Sequence, residues 1–445
     1  MKRLSLYFLC LIVLLSSLSC DKEAIELTLN IANLELEEDT SQVLRKTILF
    51  SITQMTDAYI SYWESDKGEN SARVTEVSES ALIHKINVFA LKENLEYNFR
   101  INLENGASYY ESEVFSFRTG TIPDWVKHFY EPAENKIITQ ESGYFMFHKI
   151  AAPSCLIITN HLGEIVWYKT SRHNIKVARF TKHGTLLTLE DDQNNPFASG
   201  NIILETTLAG DTLLYLRYGQ GDFSKIAHHD VQLTQHNDIM FLTDEHENGL
   251  PGDGILVLDR SGQKKWEWSS FDVFKEIDAK KYVQPWSNSI FQDEDGHYLV
   301  SFRKLSQVWK IHNVSGNVIW KLGQGGDFQL SQEAQFQYQH YAHINDKGHL
   351  MLFDNGSTDR PQSRILILSP DQPRREARLI HSVDLPADLF SPIMGSAALL
   401  PDNDFLCVSS TQGTILKLDR SGAVKWKMKA NDRVYRVEYI DQLFK

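Results

Sequence analysis

The sequence predicts an all-β protein, a six-bladed β-propeller preceded by a small β-sandwich. Two observations carry that prediction. From residue 125 to the end, one strand–turn–strand pattern recurs about every fifty residues, the period of a propeller blade. A second hairpin pattern falls between its copies, so each repeat holds the four strands of one blade.

In chain order, residues 1–19 read as an export signal rather than as fold. Lys2 and Arg3 form a positive start, and Leu4 to Leu15 form an apolar run too short for a typical spanning helix. Ser16, Ser17, Leu18 and Ser19 lead into Cys20. The arrangement resembles a bacterial lipoprotein signal, with Cys20 as the lipid anchor and residues 20–25 as a polar tether. Ser17 stands where that pattern usually has Leu. An ordinary secretory signal cleaved nearby is the alternative. The lipoprotein reading places the protein in a bacterial cell envelope, held by lipid at the outer membrane or facing the periplasm.

Residues 26–120 read as short strands separated by polar turns. Stretches 47–52, 58–63, 95–101 and 113–117 alternate with the strand period, and Leu95, Tyr97, Phe99 and Ile101 share one face. A Tyr entering a late strand is the tyrosine-corner arrangement of immunoglobulin-like sandwiches. The stretch resembles a fibronectin type III module, expected to act as a spacer or packing partner.

Residues 125–445 carry the repeat. Its first element appears at 156–167 (LIITNHLGEIVW), 255–266 (ILVLDRSGQKKW), 308–320 (VWKIHNVSGNVIW) and 415–426 (ILKLDRSGAVKW), with weaker copies at 203–214 and 365–379. The second element appears at 177–189, 230–243, 289–302, 342–353 and 396–409. Closing six such blades in a ring removes the sheet edges that invite aggregation. A final short strand within 434–439 is expected to pair near 144–147 and close that ring.

Composition narrows the function. The chain has 445 residues, 42% hydrophobic and 23% charged, with a formal net charge of −13. No Lys/Arg-rich run offsets that charge, which argues against a nucleic-acid partner. Cys10 leaves with the signal, and Cys20 is the expected anchor. Cys155 and Cys407 lie in apolar runs, where spacing alone does not decide between free thiols and a disulfide. No pair of cysteines has the spacing of a zinc site.

Inner strands of a propeller start around one central channel, so equivalent positions converge there. Ile239, Tyr298, Leu350, Phe405 and Leu186 each open the strand after the second element's turn. Ten residues before them stand His229, Asn288, His340, Gly395 and Lys176. Two His, an Asn and a Lys meeting in a concavity form a candidate site. The alternative is that these polar residues only solvate a water-filled channel.

Three stretches are similar to the arylsulfate sulfotransferases, six-bladed propellers of the bacterial envelope. The first is His228-His229-Asp230-Val-Gln-Leu233. The second runs from Asn288-Ser289-Ile290 through Ser301-Phe302-Arg303 to Trp320. The third is Gln339-His340 followed by Gly348-His-Leu-Met-Leu-Phe-Asp-Asn-Gly356. The resemblance implies a sulfuryl transfer from a phenolic sulfate donor to a phenol acceptor through a sulfohistidine, with no cofactor and no metal. His340 matches the nucleophile. Arg303 and Asn288 match groups that hold the sulfuryl oxygens, and His228 or His229 matches a further active-site histidine, His229 by register. A homodimer is a further expectation.

The sequence departs from that pattern twice. Trp286 stands where the family has a His two residues before the Asn, and is expected to stack on the aromatic substrate instead. Met394-Gly395 stands where a hydroxyl residue is expected near the sulfuryl group. The competing reading is a propeller that has lost catalysis and binds a ligand or protein at the cell surface.

Overall fold

The computed structural model of the chain describes residues 25–26, 31–39, 41–106, 108–131, 143–196, 198–274 and 282–443. The expected signal 1–19, Cys20 and most of the tether 20–25 lie outside the described residues. The chain forms two compact units. The smaller holds the described parts of 1–36, 48–86 and 96–117, and the larger holds 37–47, 87–95 and 118 onward.

The smaller unit is a small β domain built on one 19-residue strand, Lys46–Glu64, where the sequence predicts two. The reason is phase. Ile48, Phe50 and Ile52 point inward, and so do Thr56, Ala58, Ile60 and Tyr62, all even-numbered. Thr53, Gln54 and Met55 between the two runs are all exposed, but burial resumes at Thr56 in the same even-numbered phase, so the strand runs on through them. Glu96–Asn105 pairs antiparallel with its second half, placing Phe99 opposite Tyr62 and Ile101 opposite Ile60. Tyr97, Phe99 and Ile101 are fully buried, and Tyr97 stacks on Phe117 at 5.6 Å.

The larger unit is a six-bladed propeller. Its inner strands are Asn174–Phe180, Ala227–Leu233, Ser287–Gln292, His340–Ile344, Ser396–Leu399 and Glu438–Ile440. Blades I to V start from the first five, each followed outward by three later strands in chain order, except that in blade I the two-residue strand Ser199–Gly200 is passed over and pairs instead with the inner strand of blade II. Blade VI takes its inner strand from the end of the chain: Glu438 pairs with Met146 and Ile440 with Tyr144. The ring is therefore closed by joining its two ends, at the segment where the sequence predicts closure.

Strand alternation also builds the core. In blade IV, Leu350 and Leu352 face blade III, while Met351 and Phe353 face blade V. Each strand buries both faces between neighbouring blades, which is why these strands read as unbroken apolar runs. The outer turns repeat one chemistry. The Asn160, Asp259 and Asp419 side chains each accept from backbone N–H groups two and four residues on. Outer-strand tryptophans tie blades together: Trp167 donates to the Leu208 carbonyl at 3.0 Å, and Trp268 to that of Gly316 at 3.0 Å. Cys155 and Cys407 are free, buried thiols in the cores of different blade junctions.

A buried ion network crosses the channel. Asp230 pairs with Arg179 at 2.6 Å and with Arg436 at 2.7 Å, and Arg179 also pairs with Glu438 at 2.6 Å. The Tyr341 hydroxyl lies 2.9 Å from Arg179. Two cations meet two carboxylates, so the buried charges are compensated. The ends of the inner strands, from Phe180, Leu233 and Ile344 to Tyr439, line a cavity of about 500 Å³ that has Arg179 and Tyr341 in its wall. The starts of the inner strands carry the candidate site.

Candidate active site

The second strand of each blade brings a side chain back to the start of the inner strand, and the site is made where the two meet. His340 opens the inner strand of blade IV and is buried at 5% exposure. Its Nδ1 lies 2.7 Å from Asn355 Oδ1 and 3.2 Å from the Tyr338 carbonyl. Its Nε2 accepts from the Met394 backbone N–H at 3.2 Å. Burial, with the Arg303 and Arg436 charges in reach, pushes its pKa down to about 3. The ring is therefore a neutral imidazole near neutral pH.

Arg303 follows the second strand of blade III. Its guanidinium lies 4.9 Å from the Tyr338 ring centroid and 5.8 Å from that of Trp286. Nη2 donates to the Pro392 carbonyl at 3.1 Å, on the same segment whose Met394 reaches His340. Nε is buried without a partner, and no carboxylate among the described residues pairs with this cation. An uncompensated, half-buried guanidinium beside a neutral imidazole is a place for an anion.

His229 and His228 come from blade II. Their Nδ1 atoms lie 3.0 Å apart. Burial, then the charges of His228, His340, Arg436 and Arg303, holds His229 well below the usual histidine range, which places it in electrostatic reach of His340 and Arg303. His228 Nε2 lies 3.8 Å from carboxylate oxygens of both Asp244 and Asp253. Asp253 in turn accepts from Trp286 N at 2.9 Å and Ser287 N at 3.0 Å, which fixes the start of blade III's inner strand.

Asn288 is buried, and its Nδ2 donates to the Gln339 carbonyl at 2.8 Å while Oδ1 has no partner among the described residues. It reaches the residue beside His340 rather than His340 itself. Trp286 is 45% exposed, with its ring near both Arg303 and Lys304. Lys176 is taken up within blade I: Nζ donates to the Asn195 carbonyl at 3.0 Å and lies 3.5 Å from Asp191. Gly395 offers only backbone, because a Cβ there would stand 2.6 Å from the Phe353 ring. Where a hydroxyl side chain is expected, the group presented to His340 is the Met394 N–H.

Backbone conformation marks the same place. His229, Trp286, Tyr338, Tyr341 and Met394 all have φ between 53° and 61°, a left-handed region that such residues seldom adopt. Strain of this kind collects at sites where side chains are aimed.

Sequence reasoning missed Asn355, Tyr338, Arg436 and the roles of Asp230 and Asp253. A signal for Asn355 was present. Five residues after Leu186, Ile239, Tyr298 and Leu350 stand Asp191, Asp244, Arg303 and Asn355. Each of the four meets the inner-strand start of its own blade or the site beside it. Arg436 has no such signal, since it precedes the short closing strand.

A search among curated proteins finds no match to the chain. Among solved structures, it is similar to a protein of unknown function from Bacteroides caccae, at 13% identity over 68% of this chain and 100% of that one, with a TM-score of 0.46. It is also similar to virginiamycin B lyase from Staphylococcus aureus, at 12% identity over 69% of this chain and 99% of that one, with a TM-score of 0.39. Likeness this distant bears on neither mechanism nor substrate. The family comparison is specific: residues 197–431, just over half of the chain and holding every residue of the site except Arg436, match the model described as Arylsulfotransferase (ASST). The chain belongs to the arylsulfotransferase family.

Proposed function

We propose that the protein is an aryl sulfotransferase that moves a sulfuryl group from a phenolic sulfate to a phenol by way of a sulfohistidine at His340. The observation that carries this reading is the pairing of a neutral, buried His340 with the unpaired guanidinium of Arg303. His340 Nε2 attacks sulfur, the S–O bond to the aryl group breaks, and the electron pair leaves on the phenolate. Arg303 meets the charge that spreads over the sulfuryl oxygens and the leaving oxygen. The Met394 N–H, released by Nε2 when it bonds to sulfur, is then free to donate to a sulfuryl oxygen. In the second half an acceptor phenol attacks the same sulfur from the vacated side and frees His340. His229 stands by to take the acceptor's proton. The Trp286 and Tyr338 rings offer faces for the aryl groups.

The test is incubation of the protein with a chromogenic aryl sulfate and a phenol acceptor. Release of the chromogenic phenol together with sulfation of the acceptor is expected. His340→Asn should abolish both by several orders of magnitude, as when a covalent route is closed. Trp286 favours the second reading, a binding propeller, because it replaces a family histidine. Tight binding of the aryl sulfate with no turnover would establish that reading instead.

The N-terminal lipoprotein signal, the anchor at Cys20, the envelope location, the fibronectin type III-like spacer and a homodimer belong to the same proposal. Cys20→Ala should move the protein from the membrane fraction to the soluble one, and unchanged partitioning would remove the anchor from it.

A further inference from the structure

A histidine nucleophile has two nitrogens, and only the unprotonated one can attack. In His340 the choice is made by three partners that each allow one role. The Tyr338 carbonyl, 3.2 Å from Nδ1, can only accept. The Met394 backbone N–H, 3.2 Å from Nε2, can only donate. The third partner is Asn355 Oδ1, 2.7 Å from Nδ1. Its amide cannot be turned over, because Nδ2 lies 2.7 Å from the Ser391 carbonyl and 2.7 Å from the Met394 carbonyl. An oxygen in place of Nδ2 would face two other oxygens without a proton between them. Asn355 is itself fully buried, so these bonds do not compete with water.

We propose that Asn355 is a positioning residue that commits His340 to the Nδ1–H form, making Nε2 the nucleophilic nitrogen, and that it holds the Met394 segment where its N–H meets the transferred group. The proposal rests on the reading of His340 as the nucleophile. When Nε2 bonds to sulfur, the ring keeps its Nδ1 proton and becomes cationic while the sulfuryl group stays anionic. The electron pair of the broken S–O bond leaves on the phenolate, so charge balances without a proton moving. The bond from Nδ1–H to Asn355 then becomes charge-assisted and strengthens in the intermediate. A neutral amide supports that charge without trapping it, as a carboxylate would. The charged or titratable groups acting on His340 from other elements are Arg303, Arg436 and His229, and both arginines oppose its protonation.

The tautomer can be read without activity. In the full-length protein labelled with ¹⁵N-histidine, long-range ¹H–¹⁵N correlation separates a protonated ring nitrogen from a bare one. The His340 signals are identified by their loss in His340→Asn. Protonated Nδ1 and bare Nε2 are expected in the wild type. Asn355→Leu should give a mixture of tautomers with the circular dichroism unchanged, and should lower kcat about tenfold, the scale of one lost hydrogen bond. Asn355→Asp keeps an acceptor for Nδ1 but sets an oxygen against the Ser391 and Met394 carbonyls, so it should lower kcat at least as far as Asn355→Leu. A protonated Nε2 in the wild type would overturn the proposal, as would an Asn355→Leu variant with the same tautomer and the same kcat. The expected tautomer in a wild-type protein that transfers nothing would overturn the reaction instead and leave the assignment of the nitrogen standing.

Discussion

His340 and Arg303 show how burial divides the labour between two side chains. Both are drawn into the same low-dielectric space, and burial lowers the pKa of both. The histidine loses its charge, which the proposed role of nucleophile requires. The arginine starts so far above neutral pH that it stays a cation, and it has no counter-ion among the described residues. An anion that completes Arg303 is thereby delivered beside His340. Trp286 is one of the two places at which the sequence departs from the pattern it resembles, and its ring stands next to that arginine. Trp286→His should change kcat/KM for an aryl sulfate donor several-fold, because it replaces an indole face worth about 1 kcal/mol by a smaller ring that can accept or carry a proton. Unchanged kinetics would put the position outside the site.

At the scale of the element, the register of the blades was legible in the sequence to the residue. Ile239, Tyr298, Leu350, Phe405 and Leu186 each open a strand in the structure, as the repeat predicts. Turn chemistry and apolar alternation are local properties, so they can be read along the chain. Counting back ten residues reached His229 and His340, which share the site, and also Lys176, which does not join it. The difference lies in the partner strand: blade I returns Asp191 to its inner-strand start, which pairs with the lysine, while blade III returns Arg303. A backward count sees one strand of each meeting. The matching forward count of five is needed to see Asn355. The single 19-residue strand of the small domain was missed for a similar reason, since polar residues in mid-strand look like a turn unless their phase is followed. Gly395 tests the element that carries Met394. Its φ of 106° and the 2.6 Å approach to Phe353 leave no place for a methyl group. Gly395→Ala should cost about 1–3 kcal/mol in stability and shift the Met394 N–H away from His340. Thermal unfolding and transfer rate should fall together, and an unchanged melting temperature would show that the segment adapts.

Over the whole molecule, the ring is closed by its last strand, and the charges that cross its channel come from blades I, II and VI. Asp230 holds Arg179 and Arg436 together, and these charges keep its carboxyl below the usual range although burial alone would raise it. Its contribution is present at neutral pH and is lost as pH falls toward that lowered value. Histidines lowered chiefly by burial, His84, His148, His229, His340 and His343, act in the same direction. His148 and His340 have pKa values pushed down to about 4 and about 3, below the ordinary 6.5 of the unfolded chain, chiefly by burial. Each is neutral when folded and takes a proton only when unfolded. Stability is therefore full above pH 6.5 and should fall between there and about pH 4, by about 1.4 kcal/mol per pH unit for each group. Denaturant titrations across that range would measure it, and a flat profile would contradict the buried neutral state. Donor cleavage by the protein that remains folded should not lose activity through protonation of His340 in the same interval. The most direct test of the account joins the ring, the register and the residue in one observation. The protein is incubated with an aryl sulfate alone, quenched, digested at neutral or alkaline pH and analysed by mass spectrometry. A sulfuryl adduct on His340, formed in a burst of one phenol per chain and discharged when a phenol acceptor is added, is the predicted result. Transfer that proceeds with no adduct, or with the adduct on another residue, would contradict the account.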